Sequence, residues 1–330
     1  MNMKISQNGG MVSRFRLGEP PTPEEFLEII TNGRHSNHTA HDKPHVSGAP
    51  WNIGFATAKG NVRSDNQDYG VAFNHKGFQV LLIADGIGGL THGKHASYIA
   101  TFESSQVILR GLEARMTANE IQELSIRAVF EAGLQLSNIG DKLNVLTTGL
   151  RTTLIIVIAN KSHAVLTYIG DGGVYHYKSP AHCEAVLIPH KAVPGNLNLI
   201  SSSLGPTPHG NLRTRIIQRT ESDLIIAMTD GIADRIVCEA RSMIPPEFIE
   251  QLVSMIHANQ GDLQSVSYEA VKMLAVQKDK QGYICNDNVS LGIIGNQCST
   301  SGTAESPASI HTELGVEDAP PALPLYAHHH

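Results

Sequence analysis

The sequence has little of what several functional classes need. Its four cysteines, Cys183, Cys238, Cys285 and Cys298, are scattered, with no C-x-x-C pair. That speaks against a disulfide framework and for a reducing, cytoplasmic setting. No apolar run is long enough to span a membrane, and the most apolar stretch, residues 154–159, is the size of a strand. The opening MNMKISQNGG lacks the apolar core of a signal peptide. A formal net charge of -6 leaves no basic footprint for nucleic acid, although a local Arg or Lys site for a phosphate is compatible with it. There is no internal repeat, and nothing demands more than a monomer. His328, His329 and His330 read as the remnant of a tag and are set aside.

What remains is a chain of 330 residues with 41% hydrophobic content. It suits one domain of roughly 250 residues with tails better than two full domains. Residues 1–50 are polar, with Pro20, Pro21, Pro23 and a His/Asn/Gly-rich stretch, and are expected to form a mobile extension around one short helix at 23–31. Residues 51–296 carry the folded unit, and 297–330 form a Ser/Thr/Pro/Ala-rich tail expected to be disordered.

Within the folded unit the pattern predicts strands at 51–58, 69–74 and 78–84, then helices at 95–112 and 118–138. Strands follow at 152–159, 164–169 and 173–178, read as consecutive hairpins through the turn Gly170-Asp171-Gly172. After a loop-rich stretch at 179–211 come strands at 212–219 and 223–228, helices at 246–258 and 263–276, and a last strand at 289–294. Blocks of strands separated by helix pairs predict an α+β fold, an antiparallel β-sandwich, rather than a doubly wound parallel sheet.

The chemistry lies in carboxylates at strand mouths. Asp85, Asp171 and Asp230 each end an apolar β-rich run beside a glycine, Asp287 precedes one, and Asp68 closes the run Arg63-Ser-Asp-Asn-Gln-Asp68. Each alone is an ordinary turn residue, and Asp85 could equally cap the helix after it. Gathered at one sheet edge they would repel one another without a cation. Oxygen ligands with no matching His or Cys favour Mg²⁺ or Mn²⁺ over zinc.

Taken in order, Arg63-x-x-Asn66-Gln67-Asp68, Asp85-Gly86-x-Gly88-Gly89, Thr152-Thr153, Gly170-Asp171, Asp230-Gly231 and Asp287-Asn288 resemble the motif ladder of the protein phosphatase 2C family, in its bacterial style. The resemblance covers about residues 52–295. It implies a β-sandwich flanked by helical pairs with a binuclear metal site at one edge. It also implies hydrolysis of phosphoserine and phosphothreonine in proteins by a water or hydroxide bridging two Mn²⁺ or Mg²⁺ ions. Carried over, Asp85 would bridge both ions, Asp230 and Asp287 would complete one, and the Gly86 carbonyl would bind the other. Asp68, beside Gln67, would act through water, Arg63 would grip the substrate phosphate, and Asp171 would bind a third, weaker ion. Gln67 and Asn288 would stand behind the residues that hold the ions. The implied partners are a phosphorylated protein and an opposing Ser/Thr kinase.

The sequence departs from the family pattern in three places. Ile87 stands where some members have a His, Arg151 replaces the Gly before the threonine pair, and Gly172-Gly173 replaces Ser-Arg after Gly-Asp. Residues 179–211 fall where bacterial relatives carry a flap over the site. Two rival readings are a catalytically silent phosphoprotein-binding member of the same fold, and a nucleotide-binding P-loop. The second rests on Gly88-x-x-x-x-Gly93-Lys94, but His95 replaces the hydroxyl that would ligate Mg²⁺.

Overall fold

The computed structural model describes residues 52–87, 92–142, 149–193, 196–207, 209–234, 246–279, 282–283 and 285–295. The expected helix at 23–31, both tails and part of the Gly88–Lys94 motif lie outside them. Two five-stranded antiparallel sheets stack face to face. One has the order β1-β14-β11-β6-β7: β1 (Ile53–Ala58), β14 (Val289–Ile294), β11 (Leu224–Met228), β6 (Gly173–Ser179) and β7 (His182–Ala185). The other has the order β10-β5-β4-β3-β2: β10 (Arg213–Gln218), β5 (His163–Ile169), β4 (Leu154–Ala159), β3 (Phe78–Asp85) and β2 (Asp68–His75). Helices α1 (Gly93–Gly111) and α2 (Ala118–Lys142) cover the second sheet, and α4 (Pro246–Ala258) and α5 (Leu263–Val276) the first. A one-turn helix, α3 (Asp230–Ala233), follows β11, and a short antiparallel pair, β12 (Lys278–Asp279) with β13 (Gly282–Tyr283), precedes β14.

The period-2 geometry of strands explains why the central ones are apolar throughout. In β3, Val80, Leu82 and Ala84 face the α1–α2 layer, while Leu81 and Ile83 face the opposite sheet. β4 divides likewise, with Leu154, Ile156 and Ile158 to one side and Ile155, Val157 and Ala159 to the other. Three apolar layers result: helix on sheet, sheet on sheet, sheet on helix.

Local chemistry sets the helix ends. Thr117 and Glu120 form a reciprocal capping box at the start of α2: the Thr117 amide donates to Glu120 Oε2 at 2.7 Å and the Glu120 amide to Thr117 Oγ1 at 3.3 Å. Asp262 caps α5 by accepting the Gln264 and Ser265 amides at 3.1 and 3.2 Å.

The α+β sandwich predicted from the sequence is the fold found, with three local differences. The Gly170-Asp171-Gly172 turn does not close a hairpin. It carries the chain from β5 in one sheet to β6 in the other, where β6 pairs with β11 and β7. The crossing needs left-handed backbone at Gly170 (φ +106) and Gly172 (φ +100), and a Cβ at Gly172 would sit 2.7 Å from the Met228 carbonyl oxygen. The stretch 179–211 is not all loop: it contains β7 and a hairpin of β8 (Lys191–Val193) with β9 (Asn196–Ile200). Finally, α2 runs four residues beyond the expected end, to Lys142.

The P-loop reading does not fit this architecture. That motif belongs to a strand–loop–helix unit returning to a parallel neighbour, whereas β3 pairs antiparallel with both β2 and β4. The Lys94 ammonium is held 2.7 Å from Asp65.

Candidate metal and phosphate site

Both sheets deliver carboxylates to the same edge of the sandwich. Asp68 opens β2 directly opposite Asp85, the last residue of β3. From the other sheet come Asp230, the first residue of α3 after β11, and Asp287, just before β14. Asp171 lies in the turn between the sheets. His92, not Asp85, is the N-cap residue of α1, which leaves the Asp85 carboxylate out of any capping role.

The backbone of Asp85 is fixed by the threonine pair. The Asp85 amide donates to Thr153 Oγ1 at 2.9 Å, and the Asp85 carbonyl accepts from the Thr153 amide and the Thr152 hydroxyl, each at 2.8 Å. Gly86 continues the edge by bridging to Thr152 and donating its amide to the Gln67 carbonyl at 3.0 Å. A Cβ there would lie 2.2 Å from the Gly93 backbone, so glycine is required for the helix to start this close to the strand end.

Asp68 is 5% exposed, and its carboxylate is held from the opposite sheet. Its Oδ2 accepts from the Thr229 hydroxyl at 2.8 Å and the Ser290 hydroxyl at 2.6 Å. Asn288 is buried too and ties three segments together. Its Oδ1 accepts the Gln67 amide at 2.9 Å, and its Nδ2 donates to the Lys59 and Asp65 carbonyls at 3.0 and 2.8 Å. Asn288 thus sets the loop that carries Arg63 and Gln67 against the start of β14. The Arg63 guanidinium is half-exposed and pairs with the Asp287 carboxylate. The hydrogen bond to Asp287 raises its pKa, with the fields of Asp287, Asp85 and Asp230 adding to the effect.

Crowding raises the proton affinity of the acids. Burial lifts Asp85 well above the ordinary carboxylate range, and Asp230, Asp68, Asp171 and Asp287 push it further. Asp230 rises to about 8 through burial and the charges of Asp171 and Asp234. Asp68 rises to about 6 through burial, restrained by its hydrogen bonds from Ser290 and Thr229. Such a cluster favours any cation able to replace those protons. The all-oxygen donor set, without His or Cys, fits a hard divalent ion.

The structure brings Arg63, Gln67, Asp68, Asp85, Gly86, Asp171, Asp230, Asp287 and Asn288 to one edge, and adds two residues the sequence reading missed. Asp234 lies one helical turn after Asp230, and oxygens of Asp171, Asp230 and Asp234 lie within 4.8 Å of one another. The i, i+4 spacing in Asp230-Gly-Ile-Ala-Asp234 was the available signal. Lys191, from β8, donates to Asp171 Oδ2 at 2.5 Å and Asp234 Oδ2 at 2.8 Å. It is remote in sequence and nothing near it marks it.

Two of the three departures from the family pattern have local explanations. Arg151 reaches away from the acids, donating from Nε to Ser203 Oγ at 2.9 Å and from an Nη to the Thr207 carbonyl at 3.0 Å. Glycine at 172 follows from the close approach of Met228.

The family profile of protein phosphatase 2C matches residues 59–266. The serine/threonine phosphatase stp of Listeria welshimeri is 32% identical over 122 residues, 37% of this chain and 48% of that protein. The chain thus spans about half the length of that relative. The stp of Listeria monocytogenes is 24% identical over 215 residues, 60% of this chain and 81% of its own length. Among solved structures, serine/threonine phosphatase Stp1 from Staphylococcus aureus shares the fold with a TM-score of 0.57 at 18% identity, covering 78% of this chain and 99% of that one. The chain belongs to the protein phosphatase 2C family, a class of protein serine/threonine phosphatases. Among the described residues, no helix is long and apolar enough to cross a membrane.

Proposed function

We propose that the protein removes phosphate from phosphoserine and phosphothreonine in protein substrates, opposing a Ser/Thr kinase, with two Mn²⁺ or Mg²⁺ ions as cofactors. The observation that carries this reading is the convergence of Asp85, Asp230 and Asp287 on the edge where Asp68 and Arg63 also stand, with Asp85 and Asp230 strongly raised in pKa by burial and mutual repulsion.

Asp85, the Gly86 carbonyl, Asp230 and Asp287 would hold the ions. When bound, such a pair supplies Lewis acidity that activates water and offsets charge on the phosphoryl oxygens. The chain's own residues then have separate tasks. Asp68 has one oxygen committed to Thr229 and Ser290, so its other oxygen is the acceptor that orients the attacking water. Arg63 exchanges its Asp287 partner for the substrate phosphate, a charge-assisted bond to a planar donor fork. Asn288 and Gln67 keep that loop in register with β14.

The test is hydrolysis of a phosphothreonine peptide with Mn²⁺, with chelator, and by Asp85→Asn. Turnover that requires Mn²⁺ and collapses in the variant supports the reading. Folded, metal-loaded protein without turnover would move the assignment to a silent phosphoprotein-binding member of the family.

A further inference from the structure

The β8–β9 hairpin reaches the acidic edge through two consecutive residues, and both are bound to the Gly170–Asp171 turn. His190 is buried and makes a two-way clasp: its amide donates to the Gly170 carbonyl at 3.1 Å, and its ring Nδ1 accepts the Gly170 amide at 3.0 Å. The ring stacks on Tyr168 at 5.3 Å between centroids. Lys191 then turns its ammonium into the cluster, 2.5 Å from Asp171 Oδ2 and 2.8 Å from Asp234 Oδ2. It is largely shielded from solvent, with 16% of its side chain exposed.

The same two carboxylates, with that of Asp230, each place an oxygen within 4.8 Å of the others and would have to receive an outer ion. An ammonium at hydrogen-bonding distance from both carboxylates already fills the gap. Mg²⁺ would need oxygens at about 2.1 Å, so ion and ammonium exclude each other there. Lysine is suited to the role as a compact cation with three donors on a flexible stem. The turn beneath it, Gly172-Gly173, offers no side chain to compete.

We propose that Lys191 is a built-in cation that takes the outer position of the acidic edge, limiting the protein to the two ions at Asp85 and latching the β8–β9 hairpin beside them. The proposal rests on the two-ion reading above and revises one expectation from the sequence: Asp171 serves the lysine rather than a third ion. Lys191 is a positioning residue, since it acts through the carboxylates and not on the substrate.

The test counts Mn²⁺ bound to the full chain by equilibrium dialysis, for wild type, Lys191→Met, Lys191→Arg and the double variant Lys191→Met/Asp171→Asn. The expected counts are two for wild type and Lys191→Arg, a third and weaker ion for Lys191→Met, and loss of that ion in the double variant. Equal counts for wild type and Lys191→Met overturn the proposal while leaving the two-ion site standing. No bound Mn²⁺ in any of them overturns the two-ion reading, and the proposal with it. Should Lys191→Met fail to fold, the wild-type count decides: two ions sustain the proposal and three overturn it. Faster amide exchange across β8–β9 in Lys191→Met than in Lys191→Arg is the second expected result, and equal protection refutes the latch.

Discussion

Thr153 grips the peptide of Asp85 from both sides, its hydroxyl accepting the Asp85 amide and its own amide donating to the Asp85 carbonyl. The strand end that presents the central carboxylate is therefore held by the residue that leads into β4, its neighbour in the sheet. Thr153→Val keeps the shape and the backbone bond but leaves the Asp85 amide without its hydroxyl acceptor. A loss of about 1–3 kcal/mol in stability is expected, measured by denaturant unfolding, with weaker Mn²⁺ binding alongside.

Arg63 offers the contrasting case of a half-exposed group with one partner. Arg63→Ala should leave stability within about 0.5 kcal/mol of wild type, as expected of a surface ion pair. Its effect should fall on phosphopeptide hydrolysis, where loss of a charge-assisted bond of about 1.5–3 kcal/mol lowers kcat/KM roughly 10- to 150-fold. An unchanged kcat/KM would remove Arg63 from phosphate binding.

The raised carboxylates make the metal-free protein sensitive to alkali. Asp68 at about 6 and Asp230 at about 8 both lie above the unfolded value of 3.8, so the folded state binds more protons across that window. Their protonated forms are favoured by folding at low pH, and that advantage is lost as pH rises through the folded values. In chelator, Tm should fall between pH 5 and 8 once the global trend is subtracted using Asp230→Asn. Mn²⁺ should reverse the fall at pH 8.

A second raised acid lies far from the edge. Glu103, 5% exposed in the middle of α1, has a pKa of about 7 because burial outweighs the help of Arg110 and Gln135. The unfolded value is 4.5, so ionisation above pH 7 costs the folded state on the order of 3 kcal/mol. Glu103→Gln should raise stability at pH 8 and leave it nearly unchanged at pH 4, below the unfolded value. A gain of equal size at both values would point to packing instead.

Gly86→Ala tests the close approach of strand and helix. The added methyl would lie 2.2 Å from backbone atoms of Gly93, which cannot rotate away as a side chain could. A loss of about 1–3 kcal/mol is expected, together with weaker Mn²⁺ binding, since the same shift displaces the Gly86 carbonyl.

The sequence disclosed elements wherever a period dominated. The bounds 246–258, 263–276 and 289–294 agree with α4, α5 and β14 because amphipathic spacing or unbroken apolar runs marked them. It was silent on partners. Nothing local says that β6 leaves its sequence neighbour β5 for β11, because that choice depends on a glycine backbone against Met228. The site divides in the same way. Asp68, Asp85, Asp171, Asp230 and Asp287 each carried a turn signature that could be read in place. The support for Asp68 comes from Thr229 and Ser290, about 160 and 220 positions away, and both are ordinary strand-end hydroxyls until folded. Lys191 was illegible for the same reason.

That support for Asp68 has a wider consequence. Its carboxylate belongs to one sheet and its two hydroxyl donors to the other, so the hydrogen bonds span the seam of the sandwich. The two sheets meet beneath it through side chains such as Leu81 packed against Gly292. Sliding one sheet over the other moves Asp68 and Asp85 together relative to Asp230 and Asp287 by the same distance. The interior therefore acts as a ruler for the edge: its thickness sets the spacing of the charges. A repacked core that keeps the protein folded can still mistune its appetite for ions.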